Sequence, residues 1–140
     1  MDNSAAKKFE VVSGGWYLLT PAPGGCYGTN FDYTGATAGG ETARARWSCT
    51  TLPPGTYQVY AWWRAYVDRS KSVPYVIMDG STILDTRRAD QTRNGNQWNL
   101  LGTYTFGSAQ LVVEVHNGQT QSSSSEQYVI ADAVRFVSRP

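Results

Sequence analysis

The stretch from Thr56 to Asp68 constrains this chain most, because its side chains alternate with a period of two. Tyr57, Val59, Ala61, Trp63, Ala65 and Val67 are apolar or aromatic, whereas the intervening Gln58, Tyr60, Trp62, Arg64, Tyr66 and Asp68 are amphipathic. Successive strand side chains point to opposite faces, so the first set is expected to face a core and the second to face outward. A helix would scatter Trp62 and Trp63 around its axis, and Pro53-Pro54-Gly55 just before the run is a turn signal. The run reads as a half-buried strand.

Similar short runs recur at residues 8–12, 16–20, 31–33, 41–49, 72–78, 81–87, 99–106, 109–115 and 128–137. Between them lie Ser13-Gly14-Gly15, residues 21–25, Gly39-Gly40, Asn94-Gly95 and Asn117-Gly118, all rich in residues that tolerate or fix turn dihedrals. Asp79-Gly80, between two alternating runs, is the pair typical of a tight hairpin. Many short strands at this spacing, with no long helical pattern, predict an all-β fold: a single antiparallel β-sandwich of the jelly-roll, galactose-binding-like type. No internal repeat or linker divides residues 1–140, so one domain is expected. Residues 119–126, with four serines, read as an exposed loop.

Charged residues are only 16% of the chain and aromatics 13%, including five Trp and nine Tyr, a profile of extracellular β domains. A formal net charge of +1 supplies none of the counterion release on which nucleic-acid binding depends, which argues against such a partner. Arg44, Arg46, Arg87 and Arg88 read as solvated strand faces. No run of apolar residues is long enough to span a bilayer. The start, Met1-Asp2-Asn3-Ser4, lacks an apolar signal region, so secretion is expected through a signal on a longer parent. Cys26 and Cys49 allow one pairing, which would add about 3 kcal/mol in the chain-entropy model; two buried thiols are the alternative.

Recognisable catalytic arrangements are missing. His116 is the single histidine, at a predicted strand end, and no Gly-x-Ser-x-Gly elbow accompanies it. Asp68, Asp79, Asp85 and Asp90 are the carboxylates that might pair for glycoside hydrolysis, but Asp79 is explained by its turn, and a small sandwich offers little cleft. A non-enzymatic role is expected.

The sharpest binding candidate is the outward row Tyr60, Trp62, Arg64 and Tyr66. Sugar rings present an apolar C–H face and a hydroxyl rim; aromatic planes take the face, while Arg, Gln and Asp hydrogen-bond the rim. Residues two apart on one strand face lie about 7 Å apart, close enough to line an extended saccharide. The competing reading is that aromatic pairing here only stabilises the sheet. Asp132 shares parity with Tyr128, Ile130, Val134 and Phe136, an inward register in which a carboxylate requires a partner.

Several segments resemble the golvesin C-terminal-like domain. Phe9-Glu-Val-Val-Ser-Gly-Gly-Trp16 is similar to its opening and Tyr27-Gly-Thr-Asn30 to its second signature. Leu52 to Trp63 is similar to its central strand, with Trp62 where Arg is more usual. Gln97-Trp-Asn-Leu-Leu-Gly102 and Ile130-Ala-Asp-Ala-Val-Arg-Phe136 are the most specific. The resemblance spans nearly the whole chain and implies a β-sandwich accessory module of secreted bacterial proteins. It implies packing for Trp16 and a core or corner role for Trp98, and leaves Tyr17 as a further ligand-binding candidate. The chain's likeness to jelly-roll carbohydrate-binding modules implies a structural calcium at Asp132, with Glu10 or Asp2 as partners; an Arg or backbone N–H would serve instead. The expected role is a secreted, non-catalytic module that contacts polysaccharide or a similar polymer, with Tyr60, Trp62, Arg64, Tyr66 and Tyr17 in contact. The alternatives are a protomer that self-associates into an adhesive or filamentous surface assembly, and a small extracellular hydrolase.

Overall fold

Eleven strands account for the regular structure of residues 8–19, 31–121 and 126–139, which the computed structural model describes. They are β1 (Lys8–Ser13), β2 (Tyr17–Leu19), β3 (Phe31–Gly35), β4 (Arg44–Cys49), β5 (Gly55–Trp62), β6 (Val73–Asp79), β7 (Thr82–Ala89), β8 (Asn99–Phe106), β9 (Leu111–His116), β10 (Tyr128–Ala131) and β11 (Ala133–Ser138). One sheet has the order β1-β4-β9-β6-β7; two smaller ones have the orders β10-β3-β2 and β11-β5-β8. Neighbouring strands pair antiparallel throughout. Because β10 and β11 are separated by Asp132 alone, the two smaller sheets share one chain segment.

A single apolar cluster joins the three sheets. Trp47, Tyr75, Ile77, Val113 and Val115 of the larger sheet pack with Val59, Ala61, Phe106 and Val134 of the β5 sheet and with Phe31 and Ile130 of the β3 sheet. The Trp63 ring sits 6.2 Å from Tyr75, and Phe106 meets Phe136 edge-on at 6.2 Å. Each fully buried side chain of this size contributes about 1.5–3 kcal/mol, so the inward half of each alternating run is what holds the layers together. This is the expected antiparallel sandwich.

Three local departures have physical causes. The expected strand at residues 56–68 ends at Trp62. Trp63 still faces inward, but its carbonyl accepts from Asn96 N–H at 3.0 Å and its indole N–H donates to Arg93 O at 2.9 Å. A loop from the β7–β8 connection thus replaces the next sheet partner. Beyond it the alternation fails: Val67, expected inside, is 85% exposed. The final run breaks at Asp132, and Tyr128, expected inward, is only half-buried. The β6–β7 hairpin turns at Gly80-Ser81, one residue later than expected, with Gly80 at φ 60°. Asp79 closes the last strand pair instead.

Arg44 and Arg46 also differ from expectation. They are half-buried and clamp the buried Glu114 of β9, Arg46 Nε donating to Glu114 Oε2 at 2.6 Å, while Arg44 also bonds Glu41. A second buried polar knot ties the layers. Gln91 Nε2 donates to the Tyr75 hydroxyl (2.9 Å) and to Ile130 O (3.0 Å), and Ile130 N–H donates to Gln91 Oε1 (2.8 Å). One amide side chain thereby serves both backbone groups of a β10 residue.

Candidate functional site

The outward row foreseen on β5 divides between two places. Tyr60 and Trp62 remain on the strand, half-buried, with Tyr60 opposite Arg135 of β11 and Leu100 of β8. Trp62 stands opposite Ala133, whose small side chain leaves room for the indole. Trp98, from the segment just before β8, meets Trp62 nearly edge-on at 5.4 Å and 71°. The exposed Arg135 lies 5.6 Å over the Trp98 ring. Tyr60 donates to Gln58 Oε1 at 3.2 Å, and Leu100 is 51% exposed. Two aromatic planes thus form a corner, beside an aliphatic side chain and a cation whose N–H groups can reach hydroxyls.

Gly95 is what brings Trp98 to this corner. A Cβ there would lie 2.5 Å from Ala65 N and 2.7 Å from Ala65 Cβ, so only glycine lets the 94–98 segment lie flat against the chain leaving β5. Asn94 and Asn96 flank it at φ 57° and 60°, a region asparagine tolerates.

Arg64 and Tyr66 lie past the end of β5 and belong to a second group. The Arg64 guanidinium is 5.4 Å over the Tyr66 ring, and that of Arg69 is 5.8 Å over Tyr66 and 6.0 Å over Phe31. Tyr17, 61% exposed on β2, packs at 5.5 Å on Tyr33 of β3, which meets Tyr128 of β10 edge-on at 5.8 Å. The backbone of Tyr128 is locked beside Asp68 and Ser70: its N–H donates to Asp68 O (2.9 Å) and its carbonyl accepts from Ser70 N–H (2.8 Å). Phe31, Tyr33, Asp68, Arg69 and Tyr128 line an open pocket of about 210 Å³. Burial pulls the pKa of Arg69 down, with the Asp68 charge opposing. The Tyr128 hydroxyl donates to Glu126 Oε1 at 2.5 Å, which with burial raises its pKa.

The four carboxylates weighed for catalysis each have a separate partner. Asp68 bonds Arg69, Asp79 accepts from Gly107 and Ser108 N–H, Asp85 accepts from the Tyr104 hydroxyl at 2.7 Å, and Asp90 accepts from Thr92. The bonds of Asp68, Asp79 and Asp90 hold turns and loops, and that of Asp85 ties β7 to β8. His116 ends β9, its Nδ1 accepting from Gly118 N–H, and burial lowers its pKa.

Asp132 is fully buried at the β10–β11 junction, whereas Glu10 lies on β1 of the other sheet, 3.9 Å from Arg46. Among the described residues no group of three or more His, Cys, Asp or Glu side chains could hold a metal ion. Asp2 and Cys26 lie outside the described residues; Cys49 is buried at the end of β4, with its Sγ 3.4 Å from Thr51 Oγ1. Among the described residues no helix is long and apolar enough to cross a membrane.

Sequence reasoning missed Trp98 and Arg135 as surface partners, and Tyr33, Asp68, Arg69 and Tyr128 as pocket walls. A signal for the first pair existed, since Arg135 shares the outward parity of its strand. None existed for the second group, which three separated segments assemble.

Comparison with known proteins agrees with this architecture. A xanthan lyase of Bacillus sp. (strain GL1) is 34% identical over 114 residues, covering 79% of this chain and 12% of that protein. The chain thus spans about an eighth of that relative. The solved structure of a Paenibacillus xanthan lyase superposes over all of this chain and 13% of its own, with a TM-score of 0.79 and 33% identity. A family 35 carbohydrate binding module from Clostridium thermocellum shares the fold over 99% of this chain and 97% of its own, at a TM-score of 0.59 and 14% identity. The model of the Golvesin C-terminal domain family matches residues 1–138. With nearly its whole length matched by that model, the chain belongs to the Golvesin C-terminal domain family.

Proposed function

We propose that this chain is a non-catalytic, extracellular binding module that contacts polysaccharide through the outer face of the β11-β5-β8 sheet and holds an attached secreted protein near its polymer. The observation that carries this reading is the corner of Trp62 and Trp98 beneath Arg135, flanked by Tyr60 and Leu100. It offers a wide, shallow contact, suited to a length of chain and ill suited to enclosing a reacting bond. The kinship with a domain of xanthan lyase, a far longer protein, supports an accessory role. No cofactor enters the reading.

Affinity electrophoresis in gels containing soluble polysaccharides tests it. Trp62→Ala should weaken retention by about 1 kcal/mol or more, the scale of a lost aromatic contact, with the thermal transition preserved. Undiminished retention of the variant on every glycan that retards the parent would remove the face from the account.

A second reading, a protomer of a surface assembly, draws on β7. This strand closes one edge of the larger sheet with Ile83 and Leu84 exposed, and an open edge can accept another strand. Mass photometry separates the two: ordered polymers favour the protomer, discrete monomers the module.

A further inference from the structure

We propose that the pocket bounded by Phe31, Tyr33, Asp68, Arg69 and Tyr128 is a second binding site, which takes a single neutral sugar ring. The inference rests on the carbohydrate reading above for its ligand class, but on separate residues in a separate sheet.

Size is the first argument. At about 210 Å³ the pocket is smaller than the roughly 300–1,000 Å³ typical of larger ligands, so it suits one ring at a time. Its walls are the second. Phe31, Tyr33 and Tyr128 supply aromatic surface for a C–H face, and Tyr66 lies beside Arg69 at the margin. The third is the state of the charged pair. Arg69 is only 8% exposed, and its guanidinium lies 6.0 Å from the Phe31 ring and 5.8 Å from the Tyr66 ring. Its Nε donates to Arg64 O at 3.2 Å and its Nη1 to Asp68 Oδ1 at 2.6 Å. Among the described residues these bonds use two of its five N–H donors, and Asp68 keeps acceptor capacity. A guanidinium and a carboxylate already in contact present donors and acceptors side by side with their charges cancelled. Neighbouring hydroxyls, which both donate and accept, match that pattern. A carboxylate ligand would meet Asp68 and the Glu126 carboxylate at the Tyr128 hydroxyl, which offset Arg69 and Arg64, and an ammonium would meet the two arginines. Such a preorganised pair loses little freedom on binding.

The test uses the full chain and methyl glycosides of glucose, galactose and mannose, with methyl glucuronide and the matching neutral linear trisaccharides, followed by NMR. At least one neutral methyl glycoside should saturably shift the Arg69 side-chain Nε–H and the Tyr33 and Tyr128 ring resonances. Its trisaccharide should bind the pocket within about threefold of that affinity. Asp68→Asn should weaken binding at least tenfold in a chain whose backbone NMR spectrum and cooperative melt show it still folded, at whatever lowered midpoint the loss of the Arg69 ion pair causes, while Trp62→Ala should leave binding unaltered. No perturbation by any neutral glycoside, preference for the glucuronide, tighter binding by Asp68→Asn, or a tenfold gain with chain length at the pocket would each overturn the proposal. Loss of polymer retention in Trp62→Ala alongside a silent pocket would sink this site and spare the sheet-face reading; a responsive pocket with undiminished retention would do the reverse.

Discussion

At the residue scale, small and buried polar side chains carry consequences beyond their own contacts. Gly95 permits an approach that no other residue can make, since any Cβ would overlap Ala65. Gly95→Ala should therefore lower stability by about 1–3 kcal/mol in urea unfolding, the usual scale of forced overpacking, and also weaken polymer retention because Trp98 is displaced. Glu114 is nearly fully buried between Arg44 and Arg46. Removing one partner of a buried ion pair costs about 3–5 kcal/mol, but Arg46 is over a third exposed and solvent screens part of that loss. Glu114→Ala is expected to cost about 2–3 kcal/mol by the same measurement, with glycan retention unchanged because the cluster lies on the other sheet.

Among elements, the junctions matter more than the strands. Strand β10 is short and receives much of its support from outside regular pairing: Gln91 satisfies Ile130, and residues 68–70 hold Tyr128. Gln91→Leu would leave the buried N–H and C=O of Ile130 without their partners, at about 1–3 kcal/mol for each group. Hydrogen exchange should report it as loss of protection at Ile130 ahead of β5 and β9. The early end of β5 is equally consequential. Had the strand run on to Asp68, Arg64 and Tyr66 would extend the Trp62 face; instead they contact Arg69, a wall of the pocket beside the neighbouring sheet.

Over the whole molecule, titrating groups set how the fold answers acid. Burial holds the His116 pKa below its ordinary 6.5, so the unfolded chain binds a proton more readily and stability falls as pH drops below that value. Glu41 is lowered from 4.5, chiefly by its hydrogen bond with Arg44, and Asp79 from 3.8, by hydrogen bonds from Ser108 and Gly107; both lose their contribution as pH falls further. Asp32, raised from 3.8 by burial, acts in the opposite sense. Thermal melts are expected to decline first as pH drops below 6.5, and His116→Gln should flatten that first step while leaving the more acidic decline in place. An unchanged profile in the variant would show that His116 does not set the first step.

What the sequence determined by itself is the sorting of side chains. The two-residue rhythm places Tyr57, Val59 and Ala61 inside and Tyr60 and Trp62 outside because strand geometry is local, and the turn residues between runs limit strand length for the same reason. Which outward residues meet was decided by the tertiary structure alone. Trp98 reaches Trp62 through the close approach of Gly95 and Ala65, Asp68 and Arg69 reach Tyr33 through the chain reversal after Trp63, and Glu114 gathers Arg44 and Arg46 through strand register. These contacts join residues distant in sequence, and alternation within one strand carries no information about which other segment will lie beside it.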